Sequence, residues 1–179
     1  MRDLGDGLHE AAGADVVALH GRISDVVCLS CRTVTGRRAM QDDLARLNPG
    51  YAGAHRDVAA RPDGDVELDD TADFVVPACA CGGVLKPDVV FFGENVPAPR
   101  VQRCYDAVDA LADRSDSALL VVGSSLTVMS GLRFVKRAAK AGTPVVVVNR
   151  GATRGDELAT YLVDDGCSEF LTALADAAT

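Results

Sequence analysis

The sequence of 179 residues contains no apolar run long enough to cross a membrane. Its polar start, MRDLGDGLHEAAGA, lacks the apolar core of a signal peptide. Positive charge is also scarce: 18 Lys and Arg residues stand against 26 Asp and Glu residues, which leaves a net charge of −8. A chain with this balance binds nucleic acid or anionic membranes poorly through its overall field. We therefore expect a cytoplasmic protein with no nucleic-acid partner and no membrane partner.

Internal repeats, low-complexity segments and Gly-rich phosphate-binding loops are absent from the sequence as well. Without a G-x-G-x-x-G fingerprint, the chain is a poor candidate for a nucleotide-binding fragment of an oxidoreductase. Apolar residues make up 48% of the sequence, which is a globular composition, and the length allows one sound core with a small satellite domain. The chain has six cysteines, and in a reducing compartment these are more typical of metal ligands or free thiols than of disulfides.

Four of the cysteines form two close pairs, Cys28-x-x-Cys31 and Cys79-x-Cys81, separated by a long insert. Four thiolates close a tetrahedral structural zinc site, and zinc binding supplies folding energy to a segment with little periodicity. We therefore predict a zinc ion bound by these four residues. The alternative is a set of buried cysteines or a redox pair, because Cys-x-Cys is a tighter spacing than the usual Cys-x-x-Cys. Cys104 lies within a helical pattern and is predicted to be a core residue.

Helices and strands alternate in the second half of the chain. The patterns predict strands at 14–19, 88–92, 117–122 and 144–148, and helices at 39–47, 98–113, 130–141 and 168–178. Ser130 is expected as the N-cap of one helix and Gly142 as the residue that ends it. Most of the charged segment 36–73 is predicted to be loop, with turn signals at 48–50 and 61–65. Strand, helix and strand at this spacing predict an α/β fold with a parallel sheet and a right-handed crossover.

Polar residues follow three of these predicted strands. His20 comes after the first strand, Gly123-Ser124-Ser125 after the third and Asn149-Arg150 after the fourth. If the strands are parallel in one sheet, their carboxyl ends meet at one edge, where open α/β sheets bind ligands. Glycine backbone, hydroxyl and amide groups there suit the ribose and phosphate oxygens of a nucleotide. Taken alone, Gly-Ser-Ser is equally well explained as a turn with a helix cap, and His20 as a structural histidine. The predicted nucleotide site therefore depends on the three strand ends lying at the same edge.

Four segments together resemble the sirtuins, a family of NAD-dependent protein deacylases: LHGRISDVVCLSC, CGGVLKPDVVFFGENVP, VVGSSLTVMSGLRF and VVVVNRGATRGD. The combination of LKPDVVFFGE followed by GSSL is far more specific for this family than either segment alone. The segment ATRGD at 152–156 is similar to a feature of the class II, sirtuin-4-like branch. The resemblance implies an α/β fold in which a parallel-sheet, Rossmann-like NAD-binding domain carries a small inserted zinc-binding domain. Residues 1–24 and 88–179 then belong to the Rossmann-like domain, and residues 25–87 form the zinc-binding domain.

The resemblance also implies a role for each site residue. His20 is the general base, which acts on the NAD ribose while the acyl-lysine carbonyl oxygen attacks C1′, nicotinamide leaves and the acyl group passes to ADP-ribose. The implied contacts are Val90, Phe91 and Phe92 with the acyl-lysine, Gly93 and Glu94 with the peptide backbone, Gly123, Ser124, Ser125, Asn149, Arg150 and Cys167 with NAD, and Cys28, Cys31, Cys79 and Cys81 with zinc. The implied partner is an acylated protein or peptide.

Two features of the sirtuin pattern are missing from the sequence. The Gly-Ala-Gly loop that cradles the NAD phosphates is absent, and the Thr-Gln-Asn-x-Asp-Gly-Leu-His box survives as RDLGDGLH at 2–9, with Leu4 in the place of an asparagine. We therefore expect a sirtuin that lacks its N-terminal third, with impaired deacylase activity and an exposed sheet edge that a partner chain covers. The alternative is a non-catalytic, zinc-stabilised module that binds an acylated peptide or a partner subunit.

Overall fold

The structure, a computed structural model, describes residues 7–55, 58–59, 68 and 71–177. The chain divides into two compact units, Met1–Asn95 and Val96–Thr179, and each unit has its own sheet. Most of the RDLGDGLH box and the whole of the turn predicted at 61–65 lie outside the described residues. Within the described ranges, no helix has both the length and the apolar character needed to cross a membrane.

The first unit is built on a three-stranded antiparallel sheet. Its elements, in chain order, are α1 (Leu8–Ala11), β1 (Gly21–Cys28), β2 (Val34–Gly36), α2 (Arg37–Leu47), α3 (Tyr51–Ala54) and β3 (Leu85–Val89). β1 lies in the centre of the sheet, between β2 and β3. Val26 and Val27 pair with both neighbouring strands and are buried, as are Cys28 and Val89. The core of this unit therefore lies at the C-terminal half of β1.

Asn48 ends α2 and connects it to a later segment of the first unit. Its side-chain Nδ2 donates hydrogen bonds to the carbonyls of Leu44 and Val75, both at 2.9 Å, and its Oδ1 accepts the N–H of Val75 at 2.7 Å. The carbonyl of Leu44 also accepts the backbone N–H of Asn48 at 3.0 Å, so both the backbone and the side chain of Asn48 cap the end of the helix. The two bonds to Val75 hold the segment that leads to the second cysteine pair.

The second unit is built on a three-stranded parallel sheet. Its elements are α4 (Ala98–Ala112), β4 (Leu119–Val122), α5 (Met129–Lys140), β5 (Val145–Val148), a 3-10 turn (Asp156–Leu158), β6 (Tyr161–Val163) and α6 (Cys167–Ala177). β5 lies between β4 and β6 and is parallel to both. Leu132 and Val135 of α5 pack with Val145 and Val147 of β5 in the buried core. The predicted βαβ unit is therefore confirmed as β4–α5–β5.

Most of the predicted elements are confirmed, with small shifts of their ends. The structure has α2, α4, β4, α5, β5 and α6 where the sequence predicts elements at 39–47, 98–113, 117–122, 130–141, 144–148 and 168–178. The N-cap prediction for Ser130 is wrong, because α5 begins at Met129 and Val128 precedes it. Gly142 follows the helix with a φ of 78°, which agrees with its predicted role at the helix end.

Two predicted strands differ from the structure. Residues 14–19 form no strand, and the N–H of Gly21 donates to the carbonyl of Ala18 in a turn before β1. A strand needs a partner along its edge, and none of the described strands runs beside this segment. The strand predicted at 88–92 lies three residues earlier, at Leu85–Val89, because Gly93 with a φ of 87° allows the chain to turn after it.

Candidate functional site

Cys28, Cys31, Cys79 and Cys81 come together in the first unit. Their Sγ atoms lie within 4.8 Å of one another, with 3.6 Å between Cys28 and Cys81 and 3.7 Å between Cys31 and Cys79. Four thiolates bound to one zinc ion at about 2.3 Å stand about 3.8 Å apart in a tetrahedron. All four cysteines are free of disulfides. The cluster therefore has the ligand type, number and spacing of a structural zinc site.

Two tight turns present these cysteines to one another. β1 ends at Cys28, whose carbonyl accepts the N–H of Arg32 at 3.0 Å, and Arg32 has a φ of 63° that turns the chain back toward β2. Before β3, the N–H of Cys79 donates to the carbonyl of Gly83 at 2.9 Å. A Cβ at Gly83 would lie 2.6 Å from Sγ of Cys28, so the second turn requires glycine for its close approach to the first.

The thiols of the cluster have unequal proton affinities. The side chain and the backbone N–H of Thr33 lower the pKa of Cys31 to about 6. At Cys81 the backbone N–H of Gly83 lowers the pKa, but the three neighbouring thiols together outweigh it and raise that pKa to about 11. Four thiols this close lose all their protons near neutral pH only when a cation offsets the negative charge. This donor set fits zinc, which binds thiolates tightly.

His20 lies directly before β1 and is half-buried. Its carbonyl accepts the N–H of Val90 at 2.8 Å, which continues the pairing of Gly21 with Val89 by one residue. The segment Val90–Glu94 therefore begins beside His20. The first unit thus brings together the predicted general base and the residues predicted to contact the acyl-lysine.

Phe91–Glu94 forms a turn, whereas the sequence predicts that its first two residues end a strand. The N–H of Glu94 donates to the carbonyl of Phe91 at 3.0 Å, and Gly93 takes the third position, where a positive φ is required. The side chain of Phe91 is 52% exposed and that of Phe92 is 94% exposed. The turn therefore presents two aromatic rings at the surface instead of burying them in the sheet.

Lys86 of β3 holds this turn through an ion pair with the carboxylate of Glu94. Nζ of Lys86 lies 2.7 Å from Oε1 of Glu94, and it also lies 4.8 Å from the centre of the Phe91 ring. The other carboxylate oxygen of Glu94 accepts the N–H of Phe91 at 3.0 Å. The pKa of Glu94 lies below its usual value. The larger cause is the contact with Lys86, and the smaller is the hydrogen bond from the N–H of Phe91. Sequence reasoning placed Glu94 at the site but missed Lys86, although the two lie only eight residues apart.

Two of the predicted nucleotide-binding loops lie at one edge of the parallel sheet. Gly123–Ser125 follows β4 and Asn149–Arg150 follows β5, and the pairing of Val122 with Val148 brings the two strand ends side by side. The N–H of Gly123 donates to the carbonyl of Val148 at 2.9 Å. The carboxyl edge of the second unit therefore has the arrangement that open α/β sheets use to bind ligands.

Cys167 begins α6 and lies against the first of these loops. Gly123 has a φ of 64°, and a Cβ there would lie 2.8 Å from Sγ of Cys167. In the second loop, Nδ2 of Asn149 donates to the carbonyl of Arg150 at 3.0 Å, and the guanidinium of Arg150 pairs with Glu169 of α6 at 2.9 Å. α6 is therefore attached to both loops, and all six residues predicted to contact NAD lie in the second unit.

His20 does not end a strand of the parallel sheet, as the sequence predicted. The strand expected at 14–19 is not formed, and His20 instead precedes β1, whose partners are both antiparallel to it. The reason is that a short apolar run has the same pattern in a strand as in an irregular segment. The convergence of strand ends holds for the two loops of the second unit only.

A cavity of about 290 Å³ opens beside the second loop, and sequence reasoning missed most of its polar lining. The lining includes Asn149, Thr153, Asp156 and Asp164. The spacing Thr-x-x-Asp at 153–156 is a capping pattern, and it offered a signal for the first two of the missed residues. Asp164 carries no comparable signal, because only the pairing of β6 with β5 brings it to the cavity.

Known proteins similar to this chain include two bacterial deacetylases. The chain is 54% identical over 175 residues to NAD-dependent protein deacetylase 1 of Streptomyces coelicolor, a match that covers 96% of this chain and 56% of the relative. It is 50% identical over 176 residues to NAD-dependent protein deacetylase 1 of Mycobacterium avium, covering 96% of this chain and 61% of that protein. The chain therefore spans about three fifths of the length of the curated relatives it matches.

Solved sirtuin structures share the fold of the chain. A Sir2 structure with a p53 peptide and NAD+ matches it with a TM-score of 0.66 and 23% identity, covering 99% of this chain and 61% of that chain. The family model described as Sir2 family matches residues 5–130. Since that match includes the cysteine cluster, His20 and the loop after β4, and extends over more than half of the sequence, the chain belongs to the Sir2 family.

Proposed function

We propose that this chain carries the zinc-binding, acyl-peptide-binding and NAD-contacting parts of an NAD-dependent protein-lysine deacylase. The observation that carries the proposal is the identity of 50–54%, over 96% of the chain, with proteins named NAD-dependent protein deacetylases. The solved Sir2 structure with a peptide and NAD+ supports the same two ligand classes for this chain. The substrate is then an acylated lysine of a protein or peptide, and NAD is the co-substrate.

In the proposed reaction, the carbonyl oxygen of the acyl-lysine forms a bond to C1′ of the NAD ribose while the bond from C1′ to nicotinamide breaks. His20 acts as the general base and accepts a proton from the ribose. One water molecule is consumed, the acyl group ends on ADP-ribose, and the lysine amine and nicotinamide are released. Each turnover therefore consumes one NAD molecule.

The contacts of His20 support its role as the base. The hydrogen bond between its carbonyl and the N–H of Val90 places the predicted base next to the predicted acyl-lysine segment. Phe92, at 94% exposure, offers an apolar face to an acyl chain without any loss of core packing. The Lys86–Glu94 pair holds the turn that carries this ring.

The second unit supports the NAD half of the proposal. Gly123 has no side chain, and a Cβ there would lie 2.8 Å from Sγ of Cys167, so these two residues, both proposed to contact NAD, lie against each other. Ser124, Ser125 and Asn149 add hydroxyl and amide groups at the same sheet edge, and these suit ribose and phosphate oxygens. The guanidinium of Arg150 lies at this edge too, and it would contact the pyrophosphate of NAD by exchanging its ion pair with Glu169.

Zinc is structural in this proposal. With four thiolate ligands its coordination is complete, so no position is open for a reacting group. β1 separates the cluster from His20, because Cys28 ends the strand that begins one residue after His20. The paired strand β3 covers the same span in five residues, from Leu85 opposite Cys28 to Val90 opposite His20, which at about 3.3 Å per residue puts roughly 16 Å between them. The metal therefore contributes to folding and not to proton transfer at His20.

The proposal includes the domain division implied by the resemblance, with residues 25–87 as the zinc-binding domain and 1–24 and 88–179 as the Rossmann-like part. The proposal also includes a cytoplasmic location, because none of the six cysteines forms a disulfide, as is usual in a reducing compartment. The net charge of −8 opposes a nucleic-acid partner. Among the described strands β4 pairs with β5 alone, and its outer edge is the place proposed for a partner chain.

The proposal is tested by nicotinamide release from NAD by the zinc-loaded chain, with and without an acyl-lysine peptide. We expect release that requires the peptide and is lost in His20→Ala. His55→Ala is the matched control, because the ring of His55 packs on Tyr51 and has no assigned role in the reaction. The rate of release also tests the impaired turnover that the sequence predicts.

Three other outcomes have distinct meanings. Peptide binding without nicotinamide release would support the non-catalytic acyl-peptide module. Release that is equal in wild type and His20→Ala would remove His20 from the reaction. Failure to bind either ligand, with zinc bound and the fold intact by circular dichroism, would overturn the proposed function.

A further inference from the structure

The segment Thr153–Asp156, which we call the brace, follows β5 and lies against the loop Ser124–Thr127, which follows β4. The backbone N–H of Arg154 donates to the carbonyl of Ser125 at 3.0 Å. The guanidinium Nη1 of the same residue donates to the carbonyl of Thr127 at 2.9 Å. One arginine therefore holds the loop on both sides of Leu126.

Leu126 adopts a conformation that leucine rarely takes. Its φ is 53°, in the left-handed region where the Cβ of an L-residue crowds the backbone. The side chain is only 5% exposed and packs in the same core as Leu132 and Val147. Such a conformation persists only where the surroundings impose it, and these conformations cluster at ligand-binding sites.

Because Gly155 of the brace has no side chain, the side chain of Leu126 has room to pack against it. A Cβ added to Gly155 would overlap Cδ1 of Leu126. The φ of Gly155 is −98°, which any residue adopts, so the position requires glycine for space and not for backbone freedom. Since Leu126 is buried, its side chain has little room to move away. The brace therefore determines the position of the loop through Gly155 as well as through Arg154.

The brace has its own rigid hydrogen bonding. The N–H of Thr153 donates to both carboxylate oxygens of Asp156 at 3.1 Å, and the hydroxyl of Thr153 also donates to that carboxylate. The N–H of Gly155 donates back to the hydroxyl oxygen of Thr153 at 3.1 Å. This reciprocal capping pattern fixes the turn before it contacts the loop.

We propose that the brace is a positioning element for the NAD-binding loop, and that Arg154 and Gly155 control NAD affinity through the loop without touching NAD. The orientation of the loop hydroxyls supports this. Oγ of Ser124 accepts the N–H of Leu126 at 3.3 Å, and Oγ of Ser125 lies 2.9 Å from Oγ1 of Thr127, so both hydroxyl positions follow the backbone that the brace holds. The inference rests on the proposed function, because that function assigns NAD to this loop.

The test compares the dissociation constant of NAD for the zinc-loaded full chain and for Arg154→Ala and Gly155→Ala. We expect each substitution to weaken NAD binding about fivefold, because Arg154→Ala removes the hydrogen bond to Thr127 and Gly155→Ala adds a Cβ that displaces Leu126, and both changes lower the population of the binding-competent loop. Arg137→Ala is the matched control: it deletes another exposed arginine of the second unit, whose ion pair with Asp109 connects α5 to α4. Arg137→Ala leaves NAD affinity unchanged, and Arg154→Lys recovers part of the affinity lost in Arg154→Ala.

Hydrogen exchange of the loop 124–127 without NAD provides a readout that separates positioning from direct contact. Exchange becomes faster in Arg154→Ala and Gly155→Ala and is unchanged in Arg137→Ala. Weaker binding in Arg154→Ala without faster exchange would mean that Arg154 contacts the ligand itself, which overturns the positioning role. Unchanged affinity in both brace variants overturns it as well. A wild-type chain that keeps its zinc and its loop protection but binds no NAD overturns the proposed function, and the inference with it.

Discussion

At Leu126, packing overrides the local preference of the backbone. A left-handed conformation costs a leucine about 1–2 kcal/mol, while full burial of a leucine side chain contributes about 1.5–3 kcal/mol. With a φ of 53° and 5% exposure, Leu126 incurs the conformational cost and also gains the free energy of burial. Burial wins because α5 and the brace enclose a pocket for the side chain, and the loop after β4 takes its shape from that pocket.

Two substitutions at Leu126 separate these terms. Leu126→Ala removes the packing and keeps the strain, and we expect the free energy of unfolding to fall by about 2–4 kcal/mol. Leu126→Gly removes both, so it is expected to be more stable than Leu126→Ala by about 1 kcal/mol. This reverses the usual order of alanine and glycine. Urea unfolding of the zinc-loaded variants measures the difference, and an alanine variant at least as stable as the glycine variant would contradict the strained conformation.

Glu94 is the second residue at which a local contact has a measurable consequence. Its pKa lies below the usual 4.5, because Lys86 and the N–H of Phe91 favour the ionised form. The pair therefore stabilises the fold above pH 4.5, and this stabilisation is lost as the pH falls through the lower pKa of the folded state. We expect NMR titration to show that the pKa of Glu94 rises toward 4.5 in Lys86→Met and stays low in Lys86→Arg. Equal Glu94 pKa values in wild type and Lys86→Met would exclude Lys86 as the cause.

At the scale of elements, the cysteine cluster organises the antiparallel sheet. β1 ends at Cys28, β2 begins three residues after Cys31, and β3 begins four residues after Cys81, so all three strands meet at the cluster. The apolar core of this unit is small, with Val26, Val27 and Val89 among its buried residues. A structural zinc site supplies on the order of 10 kcal/mol of folding free energy. The sheet therefore depends more on the metal than on its own core.

Removal of zinc is expected to unfold the antiparallel sheet before the parallel one. After treatment with a chelator, hydrogen exchange of residues 21–36 and 85–89 becomes fast, while β4, α5 and β5 keep their protection because their core contains no metal ligand. Cys31→Ser has the same effect without a chelator, and Cys104→Ser, which alters a cysteine outside the cluster, is the control. Protection of residues 21–36 that survives complete zinc removal would show that the sheet folds without the metal.

Most elements of the second unit were predictable because each carries its own periodic signal, whereas the short strand β6 was not predicted. The apolar spacing in α4 and the valine runs of β4 and β5 identify them without knowledge of their partners. The failures fall where tertiary context decides. Residues 14–19 have a strand pattern but no neighbouring strand, and Phe91 and Phe92 have strand-forming side chains but sit in a turn that Gly93 and Lys86 stabilise.

At the scale of the whole molecule, the predicted site residues are divided between two units. The cysteine cluster, His20 and the turn at 91–94 belong to the first unit, and the six residues proposed to contact NAD belong to the second. β1 explains why a histidine and a metal-type cysteine pair are sequence neighbours: one strand starts beside His20 and ends at Cys28. The two sites are close in sequence and yet occupy opposite ends of that strand.

The sequence by itself determined the family, the parallel βαβ unit and the four cysteines of the metal-type cluster, because residue type and spacing carry these without any long-range contact. The tertiary structure alone decided that His20 precedes an antiparallel strand, that Lys86 restrains the turn after β3, and that the brace holds Leu126 in a strained conformation. The physical reason is that these features arise from contacts between segments that are distant along the chain or lack a periodic pattern. No local pattern in the sequence records which residues will meet.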